Sequence, residues 1–432
     1  MTPQSQFTVV APIEKSREAA LRQLLATMNS VPGVADPNNA LVPFGEFSNL
    51  HFARFALLDD PNQGDIEVYG VPRSNLPSYL AFIGDCDGPA QECLAQIVRR
   101  AAAGLREIFQ HCADFAADGD LLSWMAAHDV PIAASYVNWV GRTVLQIREE
   151  SALQRALAPK VDRSPVTSGA AARQRRSDLV AFVREEIAAQ RLALTPPAPT
   201  PLSWRLAKLA NLAAGVLVAL LALPLVLLTS PFWVVALRRH ETQDPEICPR
   251  PAAALLHELQ SLEDFDVSNQ YTALGWAKPG PLRSTLMTSV LATVQFICRH
   301  VSTRGFLGRV QSIHFARWVL IDDRRRLFFM SNYDGGHQAY MDDFINKVAF
   351  GLNVTFSNGV GWPHTEWLLA KGARREHLFK YFQRRHQLPT QVWYKAYPGL
   401  TLIDMERNAR IRQGLEQGDP SDAEVLAWLK LL

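Results

Sequence analysis

LHFARFALLDD, residues 50–60, returns as IHFARWVLIDD at residues 313–323 of the same chain. The shared H-F-A-R core and the closing Asp-Asp make chance a poor explanation, so self-similarity decides the fold before any local propensity does. Three further pairs recur in the same order. FTVVAPIEK from Phe7 matches YTALGWAKPG from Tyr271, and YLAFIGDCDG, ending at Asp87 and Gly88, matches LFFMSNYDG, ending at Asp334 and Gly335. HDVPIAASYVNWVGRTVLQI from His128 aligns without a gap on HQLPTQVWYKAYPGLTLIDM from His386, pairing Pro131 with Pro389, Tyr136 with Tyr394 and Thr143 with Thr401.

Each copy has the same grammar. A β-rich run such as Phe7 to Ile13 precedes a helical pattern, about Ser16 to Met28 in the first copy, with Leu and Ala at three- and four-residue steps. Two alternating strands follow, then a helix starting just after the Asp-Gly pair, and a last strand after His-x-x-Pro. The order βαββαβ is that of the ferredoxin-like unit. Such a unit carries helices on one face of an antiparallel sheet, so its other face needs a cover, which a tandem copy supplies. The expected class is therefore α+β, two tandem ferredoxin-like repeats packed sheet against sheet. That arrangement resembles the dimeric α/β-barrel superfamily and implies one pseudo-dimeric barrel. Insertions at Pro61 to Pro77 in the first copy and at Trp362 to Arg375 in the second are natural places for specialisation.

The 432 residues divide into repeat 1 (1–160), an amphipathic helix with a proline-rich linker (161–204), an apolar segment (205–240) and repeat 2 (241–432). In the linker, Leu179, Val180, Phe182, Val183 and Ile187 form one apolar side, and PPAPTP from Pro196 breaks regular structure. Leu209 to Leu237 holds about 29 residues without a charge, against roughly 20 needed to cross a bilayer as helix. One crossing would separate the two repeats. Pro224, Ser230-Pro231 and the flanking Arg205, Lys208, Arg238 and Arg239 point instead to a re-entrant hairpin with both ends cytoplasmic, a single span being the alternative. The lipid bilayer is thus an expected partner. Lys plus Arg (44) nearly cancels Asp plus Glu (42), leaving no basic field for nucleic acid. The five cysteines lack zinc-type spacing and read as free thiols of a reducing compartment. No secretory pattern opens the chain, so the expected placement is membrane-associated with the bulk cytoplasmic.

Polar groups recurring in both copies within apolar strands are the candidate site: Arg54 and Arg317 with Asp87 and Asp334. Strict alternation would put His51 and Arg54 on opposite faces, so only one could point between the sheets. In the bland reading each Asp caps a helix or pairs with the nearby Arg, and Gly88 and Gly335 permit the turn. In the catalytic reading Asp and Arg act as acid-base and charge-stabilising groups in a cavity. Gly84-Asp85-Cys86-Asp87-Gly88 resembles the G-x-x-D-G motif of dye-decolorising peroxidases, haem enzymes built on two ferredoxin-like units. That resemblance implies Asp87 as distal acid, Arg54 or Arg317 as its partner, and a second-half histidine on haem iron, the choices being His314, His337, His364, His377 and His386, with His314 and His337 put first. The second copy departs from the motif, reading Ser331-Asn332-Tyr333-Asp334-Gly335. The aromatics Trp362, Trp367, Trp393, Tyr394 and Tyr397 are expected in the core, at a membrane interface or around an apolar ligand, and the basic run from Arg374 to Gln387 on a solvated helix face. Two functions follow as expectations: a peroxidase-like oxidoreductase with haem, acting on a small or lipophilic substrate, or a cofactor-free lipophilic-ligand-binding or scaffolding membrane protein.

Overall fold

The computed structural model describes residues 1–161 and 168–432; residues 162–167, the start of the expected linker, lie outside them. The first half runs β1 (Gln4–Pro12), α1 (Glu18–Ala26), β2 (Asn29–Val31), β3 (Gly33–Ala35), β4 (Leu50–Leu58), β5 (Tyr79–Asp87), α2 (Ala90–Phe109), α3 (Leu121–Ala127), β6 (Ile132–Val137) and α4 (Val144–Leu157). The connecting region holds α5 (Gly169–Ala188), α6 (Leu202–Gln243) and α7 (Ala253–Gln260). The second half runs β7 (Ser268–Trp276), α8 (Pro281–His300), β8 (Ile313–Ile321), β9 (Arg326–Asp334), α9 (His337–Phe356), β10 (Thr365–Glu366), β11 (Ala370–Lys371), α10 (Glu376–His386), β12 (Thr390–Lys395), α11 (Leu402–Glu416) and α12 (Asp422–Leu429). The fold is α+β.

A six-stranded sheet has the order β1-β5-β4-β12-β3-β2, and a four-stranded antiparallel sheet the order β6-β8-β9-β7. The final strand of each half therefore lies in the other half's sheet. β12 runs antiparallel to β4, with Trp393 opposite Arg54, and β6 runs antiparallel to β8, with Ser135 opposite Arg317. The chain just before each strand still bonds its own half: Val130 N donates to Thr8 O at 2.9 Å and Leu388 N to Thr272 O at 2.8 Å. Each last strand so begins on one sheet and ends on the other, a crossing that a simple face-to-face stack would lack.

Every residue of β4 is buried, as expected for a strand covered by helices on one face and by the opposite sheet on the other. The halves share finer detail. α2 and α9 are both interrupted at their twelfth residue, Ala101 (φ −124°) and Val348 (φ −141°). α4 and α11 both open on a capping box, Thr143 with Gln146 and Thr401 with Asp404, which satisfies the first free N–H groups of each helix.

Two expectations change. In place of a hairpin, α6 is one unbroken helix through Pro224 and Pro231. Pro231 cannot donate to the Leu227 carbonyl one turn back, but the Ser230 hydroxyl does so at 2.8 Å, so the helix continues past that proline. The basic run is solvated on one side only, where Arg374, Glu376 and His377 are exposed. Arg384 is buried and donates to both Glu263 oxygens, and His386 is buried beneath Phe382.

Candidate functional site

The two H-F-A-R strands meet between the sheets. Each carries a β-bulge at its histidine, between Leu50 and Phe52 and between Ile313 and Phe315. A bulge adds one residue and re-aims the side chains after it, so alternation fails here and both His51 and Arg54 reach the opposite sheet. The ring of His51 lies 5.2 Å from that of Phe315. Arg54 donates to Tyr271 O and Thr272 Oγ1, each at 2.9 Å, to Ser331 O at 3.0 Å and to Asn332 Oδ1. Arg317 mirrors it with Phe7 O, Thr8 Oγ1, Gly84 O and Asp85 Oδ1.

Asp85, rather than Asp87, is thus the carboxylate that pairs with an arginine. Its remaining donors are Gln6 Nε2 at 2.7 Å and Asn332 Nδ2 at 3.1 Å. Burial lowers the Arg54 guanidinium to about 9; Asp85 opposes the drop and Arg317 adds to it. Asp85 was missed in sequence because its counterpart is Asn332, so identity between the copies drew attention to Asp87 and Asp334 instead.

Asp87 and Asp334 each do two structural tasks. Asp87 Oδ1 lies 3.0 Å from His51 Nε2, and its Oδ2 accepts from Val144 N at 2.8 Å. Asp334 Oδ1 lies 2.7 Å from His314 Nε2, and its Oδ2 accepts from Leu402 N at 2.7 Å. Burial works against the Asp334 charge, but the His314 ring and the Leu402 and Ser268 bonds hold it below the usual carboxylate range. Each aspartate so ties its histidine to the start of the helix after the crossing strand, α4 or α11. Gly88 and Gly335 turn the chain at φ 78° and 81°, where a Cβ is disfavoured. Neither aspartate is hydrogen-bonded to an arginine among the described residues.

The space beside these dyads is small. A cavity of about 20 Å³, bordered by His51, His314, Asn138 and Tyr397, is enough for one water. His314 Nδ1 is buried there without a partner, while His51 Nδ1 lies 3.2 Å from Tyr397 Oη. Tyr397, missed as part of this cluster, has its hydroxyl pushed well above the normal range by burial and then by Asp85, Asp87 and Asp334. Neither histidine put first for haem fits one. His314 Nδ1 opens only on that small space. His337, with both ring nitrogens unpartnered and its pKa driven down to about 3 by burial and then by Arg384 and Lys380, does not line the large apolar cavity of this half.

That apolar cavity, about 310 Å³, lies outside the space between the sheets, under α8 and α9 of the second half. Trp318 and Phe329 of the sheet form its floor, with Cys298 of α8 and Met341 and Phe344 of α9 as walls. Ile297, Phe306 and Phe350 line it and are also exposed, which makes them its rim. The Trp318 indole N–H is buried with no partner, an uncommon state for a group that usually finds one. Burial raises the Cys298 thiol to about 12, so it stands in the wall as a neutral thiol. None of Trp362, Trp367, Trp393, Tyr394 and Tyr397 lines this cavity. The pocket was not legible in sequence, because its lining residues come from strands, helices and loops far apart in the chain.

Among the described residues no three His, Cys, Asp or Glu side chains converge as a metal site requires. Comparison with protein-family models, with curated proteins and with solved structures finds no match to this chain.

Proposed function

We propose that this is a membrane-associated binding protein for a lipophilic small molecule, held in the second half between sheet and helices. The observation that carries this is the apolar cavity of about 310 Å³, within the size range of small-ligand sites, with Ile297, Phe306 and Phe350 exposed at its rim. Gly215 of α6 packs against Phe296 of α8, one residue from the rim residue Ile297. The unpartnered Trp318 N–H favours a ligand with one hydrogen-bond acceptor on an otherwise apolar body.

α6 supports the membrane part. It is 42 residues long with a mean hydropathy of 2.6 in its most apolar window, and none of that window is buried. Leu217, Leu221, Leu228 and Phe232 are each more than half exposed, far beyond the scattered apolar residues of a soluble surface. Five free cysteines support a cytoplasmic bulk. The strands support a barrel of the dimeric α/β type: hydrogen bonding passes from β1 through β5, β4 and β12 to β7, and through β9, β8 and β6 back to β1. In this reading the buried Arg, His and Asp side chains between the sheets hold the halves together and perform no catalysis.

Fluorescence titration of the detergent-purified protein with N-phenyl-1-naphthylamine tests the binding site. Cys298→Phe fills the cavity with an apolar ring, and the expected result is at least a tenfold weaker Kd with an unchanged circular dichroism spectrum. Equal affinity in wild type and variant would reject the site. The same preparation bears on the haem expectation, since a Soret band after incubation with hemin that is lost in His314→Ala would favour the oxidoreductase.

A further inference from the structure

We propose that α6 lies in the plane of the bilayer, sunk into one leaflet, and does not cross it. This rests on the membrane reading above and deepens it into a topology.

Both ends of α6 are fixed to the same folded body. Near its start, Asn211 Oδ1 lies 2.9 Å from His300 Nε2, and Gly215 sits so close to Phe296 that a methyl group there would clash with the ring. Near its end, the Glu241 carboxylate accepts from Thr365 Oγ1 at 2.8 Å, Trp367 N at 2.9 Å and Leu368 N at 2.8 Å. Asp244, the residue that ends the helix, pairs with Lys278 at 3.0 Å and with Arg283.

From Asn211 to Glu241 a helix rising 1.5 Å per residue covers about 45 Å, whereas the hydrocarbon core is about 30 Å thick. Both anchors belong to one body, so α6 runs along it from one to the other. α8 joins those anchors, touching Asp244 through Arg283 and the start of α6 through Phe296 and His300. Turning α6 across the membrane would therefore carry α8 through the hydrocarbon with it. α8 packs on β6, so the sheet would have to follow it, and sheet edges and loops cannot be satisfied in lipid.

Along α6 Gly215, Ala222, Thr229 and Ala236, spaced by seven, are less exposed than the leucines between them, and toward the end Ser230, Trp233, Val234 and Leu237 join them. The side turned to the body is thus narrow at first and widens toward the Glu241 anchor. An interfacial helix ordinarily provides its own polar face; here the folded body takes that role. Arg205 and Lys208 at one end and Arg238 and Arg239 at the other then reach the same headgroup layer, with Lys208 over Trp204 at 5.2 Å and Arg238 over Trp367 at 5.3 Å. The rim of the apolar cavity is brought to that layer too, so a ligand could enter from the leaflet without crossing water.

The test places one nitroxide at a time at Val218, Leu221, Leu225, Leu228 and Phe232, in full-length protein with Cys248 replaced by Ser, reconstituted into phosphatidylcholine–phosphatidylglycerol vesicles. Collision with oxygen and with a nickel chelate gives the depth of each label. All five positions share one face of the helix, so the expected profile is flat, with every label at about one depth within a single leaflet. A profile that deepens steadily to mid-helix and becomes shallow again toward the far side would overturn the in-plane topology while leaving membrane association intact. Labels open to the nickel chelate at all five positions would overturn both.

Discussion

Arg54 and Arg317 occupy equivalent positions, yet their surroundings differ by one atom type: Arg317 meets the carboxylate of Asp85, and Arg54 the amide of Asn332. Removing one partner of a buried ion pair leaves the other charge uncompensated, which costs about 3–5 kcal/mol. Arg317→Met should therefore lower unfolding stability in urea by that amount, and Arg54→Met, which strands no carboxylate, by clearly less; equal losses would argue against the pairing. Burial also sets an acid limit. His337 and His386 are held neutral in the fold, with pKa values lowered to about 3 and about 4, chiefly by desolvation. Unfolded, each takes a proton near pH 6.5. Their contribution is complete above that value and is lost as the pH falls toward the folded pKa, at about 1.4 kcal/mol per pH unit for each histidine. His337→Leu should remove one proton's worth of slope from the stability curve between pH 6.5 and 4. Both arginines and His314 could be picked from sequence because they repeat. The role of Asp85 could not, since an Asp opposite an Asn shows no identity, and the bulges at His51 and His314 leave no trace in the residue alphabet.

Among the elements, α6 was legible in length and composition but not in its path. Two prolines read as breaks because the sequence alone does not reveal that the Ser230 hydroxyl takes over the Leu227 carbonyl. Its far anchor was equally hidden. Glu241 is a charged residue beyond the apolar run, and only the fold brings it under the Thr365–Leu368 turn. Trp367 and Leu368 hold positive φ angles of 56° and 59° there, a conformation that costs energy in a non-glycine residue and persists only when its surroundings impose it. Glu241→Ala removes both main-chain bonds that impose it. Limited chymotryptic digestion should then cut after Trp367 or Leu369 several-fold faster than in wild type, and an unchanged rate would mean that the turn holds without the helix.

At the scale of the molecule, the repeat announced two like halves, and what it could not announce was that each finishes the other. A strand's own residues do not say which sheet edge it will join, because β6 and β12 offer similar apolar alternation to either. The exchange has a consequence for folding. Without β12, β4 would show a bare edge, and without the opposite sheet Phe52, Arg54 and the Asp85 side chain would face water, so the apolar burial that stabilises each half depends on the other. Residues 1–160 expressed alone should therefore be insoluble or lack a cooperative melting transition, and so should residues 241–432. Cutting the chain after folding is different, since the interface is already made and the cut removes only covalent linkage. A protease site placed at Pro196–Pro201 and cleaved in the purified protein should leave the two pieces co-eluting in detergent, with a melting temperature near that of the intact chain. They should separate only in denaturant, because parting them breaks strand pairing at both β4–β12 and β6–β8 at once. Pieces that drift apart under native conditions, or a first half that folds cooperatively by itself, would mean that the crossing strands do not hold the molecule together.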